Sequence, residues 1–177
     1  MPNSDSNFLR TIILLSVCFA FSGTTSSLTV SASSLVGFEI ASNKAFATLP
    51  LAFHLIGTML AGIPASLLMK RVGRKYGFMI GTGIGASGAA AAAVSIIYSN
   101  FVLFCISIFC LGILSGFTQL YRFTAADVAS QEFRTKAVSL VMFGGILAGF
   151  IGPAVASKAK DLIADAPFAG SYLFVIL

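Results

Sequence analysis

The run AFATLPLAFHLIGTMLAGIPASLLM (residues 45–69) is followed without a gap by KRVGRK (70–75) and then by YGFMIGTGIGASGAAAAAVSIIY (76–98). Each outer run holds no Lys, Arg, Asp or Glu after its first residues and exceeds the roughly 20 apolar residues that cross a ~30 Å hydrocarbon core. The four cations between them are too tightly packed for a buried turn and fit a short loop at a membrane face. Working outward, runs of the same kind lie at 11–30, 101–121 and 137–156, and another begins at Tyr172. Their backbone groups can be satisfied in lipid only as helices, since the runs are too long and too continuously apolar for barrel strands. The sequence therefore predicts an all-α, polytopic membrane helix bundle. The apolar stretch ending at Leu177 is six residues long, roughly 9 Å of helix, so the chain reads as a fragment interrupted in its sixth span.

Composition agrees: 57% of the 177 residues are hydrophobic, 10% are charged, and the mean hydropathy is +0.96, against about 25% charged in an ordinary soluble domain. The net charge of +5 does not point to nucleic acid, because no basic tract is interleaved with aromatics. Eight of the eleven Lys and Arg fall at Arg10, at 70–75 and at Arg122, Arg134 and Lys136. An N-terminus in the cytoplasm places all eight inside and leaves Lys44, Lys158 and Lys160 outside, as the excess of positive charge on cytoplasmic loops requires. The outer connections are then 31–44, Ser99-Asn100 and 157–171. A cleaved leader ending near Ser31-Ala32-Ser33 is the alternative for the first run, disfavoured by its length and by the spans that follow. The chain reads as an integral protein of a plasma or bacterial inner membrane, with lipid as its first partner.

Cys18, Cys105 and Cys110 lie inside apolar runs, where a thiol behaves as a small hydrophobe. Neither a disulfide framework nor a metal site is implied, and no cofactor motif appears. The six carboxylates, Asp5, Glu39, Asp127, Glu132, Asp161 and Asp165, sit at span edges or in loops, and no nucleophile is arrayed with His54, so enzyme chemistry finds no support. Glycines in the third run, and Gly145 and Gly149 four apart in the fifth with Ala148 and Gly152 in the next register, permit close helix approach, inside one bundle rather than between two copies.

The loop Met69-Lys-Arg-Val-Gly73-Arg-Lys-Tyr-Gly77 resembles the motif G-x-x-x-D-[RK]-x-G-[RK]-[RK] found between the second and third helices of the major facilitator superfamily. Arg71, Gly73, Arg74 and Lys75 match; Ser66 replaces the first glycine, and Lys70 reverses the charge of the Asp that latches the two halves of the family's transporters. The fifth run, Gly144 to Ala156, is similar to the G-x-x-x-G-P-x-x-G-G motif of the family's antiporters: Gly152 and Pro153 match, with Ala148, Ala156 and Ser157 as small substitutes, and Gly149 one turn earlier. A proline here removes a backbone donor and bends the helix. The stretch 126–137 is similar to the family's loop between helices four and five.

The resemblance implies the first five to six helices of a twelve-helix bundle, with a C-terminal helical half as partner and secondary transport of a small molecule by alternating access. It favours proton-coupled efflux. Uptake is the alternative, because the cation many family antiporters carry earlier in helix four has no counterpart in 101–121; a non-transporting scaffold or receptor with this fold is a further alternative. Candidate substrate contacts are Ser115, Gln119 and Arg122, at i, i+4 and i+7 on one helix face, and Thr25 among the first-span hydroxyls Ser22, Thr25, Ser26 and Thr29, which either bond their own backbone in a packed helix or line a polar cavity. His54 is the one histidine, a candidate proton carrier or a packed core residue. Arg122 reads either as an anion or carboxylate partner, or as a snorkelling cation near the cytoplasmic end.

Overall fold

In the computed structural model, the backbone is described for residues 3–129, 131, 133–159 and 172, and side chains for 10–129, 131, 133–154 and 172. The described backbone is helical, with no strand. Helix α1 runs Asn3–Ile40, α2 Leu49–Val72, α3 Arg74–Ile97, α4 Phe101–Thr118, α5 Leu120–Val128 and α6 Arg134–Ala159. Five segments are long and apolar enough to cross a membrane: Arg10–Ile40, Lys44–Val72, Arg74–Ile97, Phe101–Val128 and Arg134–Ala154.

Several boundaries differ from the sequence expectation: α1 begins at Asn3 rather than 11, α2 runs Leu49–Val72 rather than 45–69, and α3 begins at Arg74, so that Gly73 alone joins α2 to α3; two further differences lengthen α1 and the fourth span. The connection placed at 31–44 is helical as far as Ile40, so α1 projects ten residues past Val30. Its hydroxyl-rich end stays helical because its outer turns bury Ala32, Ser33 and Val36 against the bundle, and packing overrides the weak helix preference of Ser and Val. Likewise, 122–128, read as the start of a loop, continues the fourth span as α5 after a break at Gln119, whose backbone stays in the right-handed helical region. The expected outer loop at 157–171 and the sixth run from Tyr172 lie almost wholly outside the described residues. Tyr172 itself is buried, its ring edge-on to Phe104 with centroids 5.8 Å apart.

The turns are made by identifiable residues. Gly73, with φ of 88° and ψ of 157°, joins α2 to α3 in a backbone region that side-chain-bearing residues essentially do not enter. Asn100 caps α4, its side-chain oxygen accepting from the Leu103 amide at 3.0 Å, and Ser99 takes a positive φ of 49° in the same tight turn.

Helix α4 is the most buried of the spans and sits between α2 and α3, with α1 crossing it; α1 also lies along α6. Glycine makes these contacts close. A Cβ on Gly85 would meet the Leu114 side chain, and one on Gly88 would lie 3.1 Å from the Ser107 carbonyl oxygen; one on Gly152 would lie 2.6 Å from Ser27 Cβ and 2.9 Å from the Thr24 carbonyl oxygen. Gly77, Gly81, Gly85 and Gly88 of the third run and Gly144, Gly145 and Gly152 of the fifth thus serve packing within the bundle, where van der Waals contact rather than the hydrophobic effect drives association, whereas Gly83 and Gly149 have open space at their Cβ positions. Phe21, Met59, Ile63, Val102 and Phe150 point outward, apolar as a lipid-facing surface must be.

Candidate functional site

Two polar regions stand out in this apolar bundle. The first lies midway along it. Ser26 is near the centre of the span 10–40 and Ser115 near the centre of 101–128, and their hydroxyl oxygens are 2.6 Å apart. Each hydroxyl has one hydrogen and also a backbone carbonyl within reach as an alternative acceptor, Ser22 at 3.2 Å from Ser26 Oγ and Leu111 at 3.1 Å from Ser115 Oγ. His54 reaches the same point from α2, with Nε2 at 3.5 Å from Ser115 Oγ. It is 4% exposed, and its Nδ1 is buried without a hydrogen-bond partner among the described residues. One turn along α2, Thr58 bridges the helices by donating to the carbonyls of His54 (2.9 Å) and Gly112 (3.1 Å). This approach is possible because Gly57, Gly112 and Gly116 carry no side chain: a Cβ on Gly116 would sit 2.6 Å from that of Ala61, and one on Gly112 would collide with the His54 backbone.

The three helices therefore bring His54 and Ser115 together, joined by Ser26 rather than by Thr25. Thr25 bonds its own backbone at the Phe21 carbonyl, 3.4 Å away. Periodicity held the signal for Ser26: Ser22, Ser26 and Thr29 fall at i, i+4 and i+7. Thr58, a hydroxyl in an apolar run, carried no signal of its own. Gln119 and Arg122 do not join the node. Gln119 is exposed at the break between α4 and α5, whereas Arg122 is half-buried, its guanidinium carbon 5.4 Å from the Phe123 ring centroid and its Nε without a partner. So the polar stripe divides: Ser115 turns into the bundle, and the two residues after it line its edge.

The second region is at the end carrying the basic loop. Arg74 is paired with Asp127 of α5 and also donates to the Thr124 carbonyl at 3.4 Å; Arg134 approaches the other Asp127 oxygen at 3.6 Å. These side chains are roughly half exposed, so each pair contributes only about 0.2–1 kcal/mol. What the cluster fixes is geometry: one carboxylate ties the loop between α2 and α3 to the end of the fourth span and the start of α6. Beside it a cleft of about 530 Å³ is lined by Gly62, Ser66, Lys70, Arg74, Phe123 and Asp127, among others. Lys70 opens into this cleft, while Arg71 and Lys75 are exposed, none with an ion pair among the described residues.

The Gly152-Pro153 segment of α6 lies close against α1. Gly152 faces Ser27 and Thr24. Gly149 leaves its Cβ position open and offers its carbonyl to Ser27 Oγ at 3.4 Å. Pro153 lies within α6, as Pro64 lies within α2. Among the described residues no group of three His, Cys, Asp or Glu side chains could hold a metal ion.

A bundle of five membrane-length apolar helices with a polar node between them and an ion-paired basic loop at one end defines a polytopic integral membrane protein. Residues 14–176 match the Major Facilitator Superfamily, and the chain belongs to that family. It is 34% identical over 164 residues to the riboflavin transporter RfnT of Brucella anthropi, an overlap of 93% of this chain and 41% of the relative. It is also 31% identical over 160 residues to the MFS-type transporter YdeG of Bacillus subtilis (88% and 36%) and 24% identical over 142 residues to YddS of the same organism (80% and 32%). The chain thus spans about two fifths or less of the length of these relatives.

Proposed function

We propose that these 177 residues form the N-terminal half of a proton-coupled secondary transporter for a small, planar organic solute of the riboflavin kind. Its N-terminus is in the cytoplasm, and substrate is held between this half and a C-terminal one. The observation that carries the reading is the pairing of Ser26 with Ser115 at mid-depth. Polar groups at that depth in apolar spans are costly and mark a pathway or a partner helix. Gln119 and Arg122, at the edge of the same helix, supply hydrogen-bond donors for ring carbonyls. The substrate class rests on the similarity to the Brucella anthropi riboflavin transporter over nearly the whole chain.

For direction, the Gly152-Pro153 pair, seated against α1, supports efflux by proton antiport. The lack of any cation between Phe101 and Tyr121 favours uptake as the second reading. The test is movement of labelled riboflavin by the full-length protein in proteoliposomes under an imposed pH gradient. Accumulation on the acidic side supports antiport and accumulation on the alkaline side supports co-transport. Flux that ignores the gradient removes the proton, and no flux at all removes the substrate. The isolated 177-residue chain is expected not to transport, since half the cavity wall would be absent; vesicle uptake by it would contradict the arrangement.

A further inference from the structure

We infer that His54 is the proton-binding residue of this bundle, and that its charge state is passed through Ser115 to the hydroxyl of Ser26, changing what α1 offers a substrate. The inference rests on the proposed proton-coupled function and adds to it a named site and a relay. Three observations on independent helices carry it. His54 is buried on α2 with Nδ1 unpartnered, its Nε2 is 3.5 Å from Ser115 Oγ on α4, and that oxygen is 2.6 Å from Ser26 Oγ on α1.

The proton count gives the relay its direction. A neutral imidazole has one N–H. With that proton on Nδ1, Nε2 can accept from the Ser115 hydroxyl, whose hydrogen turns away from the Leu111 carbonyl; Ser115 Oγ then accepts from Ser26, whose hydrogen leaves the Ser22 carbonyl, and the Ser26 oxygen presents lone pairs. A proton delivered from water to Nε2 makes both ring nitrogens donors. Ser115 Oγ then accepts from Nε2, its own hydrogen turns to Ser26 Oγ, and the hydrogen of Ser26 is released to the Ser22 carbonyl or to a bound solute. On deprotonation the same proton returns to water and the bonds reverse. Nothing but a proton is gained or lost. Because the relay ends on a hydroxyl at mid-depth, solute affinity and proton affinity are linked reciprocally.

Among the described residues packed around the node, no other charge competes for this role. The stretches packed around the node, Thr11–Phe38 of α1, Leu49–Met69 of α2, Tyr76–Ile97 of α3 and Phe101–Thr118 of α4, contain no Asp, Glu, Lys or Arg. Their other titratable side chains are Cys18, Tyr76, Cys105 and Cys110.

The experiment uses the full-length protein in detergent, with the His54 ring signal isolated by subtracting the nuclear magnetic resonance spectrum of His54→Gln, or of His54→Asn if the first variant does not fold. The expected result is a ring that titrates, with a curve displaced by Ser115→Ala. Riboflavin affinity should then vary with pH in the natural protein and be flat in the His54 variant. A ring that never titrates, or a curve unmoved by Ser115→Ala, overturns the inference, as does a pH-dependent affinity that survives His54→Gln. If riboflavin does not bind the natural protein, the proposed substrate fails, while the titration and its displacement by Ser115→Ala still decide the role of His54.

Discussion

Adding a single methyl group at Gly116 should drive α2 away from α4 and dismantle the polar node. Its Cβ would stand 2.6 Å from Ala61 Cβ and 3.0 Å from the Thr58 carbonyl oxygen, whereas carbon atoms rest at about 3.5–4.0 Å. The shortfall is about 1 Å, and neither neighbour is the free end of a long side chain, so the helices themselves must separate. A shift of that size would take the 3.1 Å bond from Thr58 to the Gly112 carbonyl beyond hydrogen-bonding reach. Overpacking of this kind costs about 1–3 kcal/mol, and the lost bond adds about 1 kcal/mol. Gly83→Ala is the matched control on α3, since nothing lies within 4 Å of its Cβ position. The assay is thermal unfolding of the purified full-length protein followed by size-exclusion elution, where Gly116→Ala and Gly112→Ala should melt several degrees below Gly83→Ala. Equal melting temperatures for the three variants would refute the claim that glycine sets the distance between α2 and α4.

Gly73→Ala puts a side chain into a positive-φ conformation and should cost about 1–3 kcal/mol through strain alone, read as a lower melting temperature even though a Cβ there meets open space. Asp127→Asn, in contrast, should lower stability by no more than about 1 kcal/mol for each of its two exposed pairs, and the loss should shrink with added salt; a double-mutant cycle with Arg74→Gln reads the coupling. Gln119→Ala and Arg122→Gln are expected to leave the melting temperature unchanged and to reduce riboflavin flux at least tenfold, about 1.4 kcal/mol of lost interaction, measured in proteoliposomes. Unchanged flux in both would remove the proposed polar edge.

The architecture was plain in the order of residues because a bilayer imposes a length rule on sequence. Runs such as 76–98 cannot be soluble strands or loops, and the cluster Lys70, Arg71, Arg74 and Lys75 marks a membrane face wherever its helices pack. Helix ends were less legible. Nothing local in Ser31-Ala-Ser-Ser34 shows that α1 continues to Ile40, because burial of Ala32, Ser33 and Val36 decides it. In the same way, the spacing of Ser115, Gln119 and Arg122 places them on one side of a helix but says nothing of which neighbour each meets.

What the sequence by itself determined is therefore the set of helices, the charged ends, the glycine-rich faces and the motifs that resemble the family. These follow from composition and period along a single segment. Only the tertiary structure decided that His54, Ser115 and Ser26 meet, that Asp127 is the carboxylate shared by Arg74 and Arg134, and that Gly57, Gly112 and Gly116 serve one seam. Apart from Arg134, which is close to Asp127 in sequence, the bonded partners are 53 to 89 residues apart, and a residue's period reveals its face but not the helix that will be pressed against it.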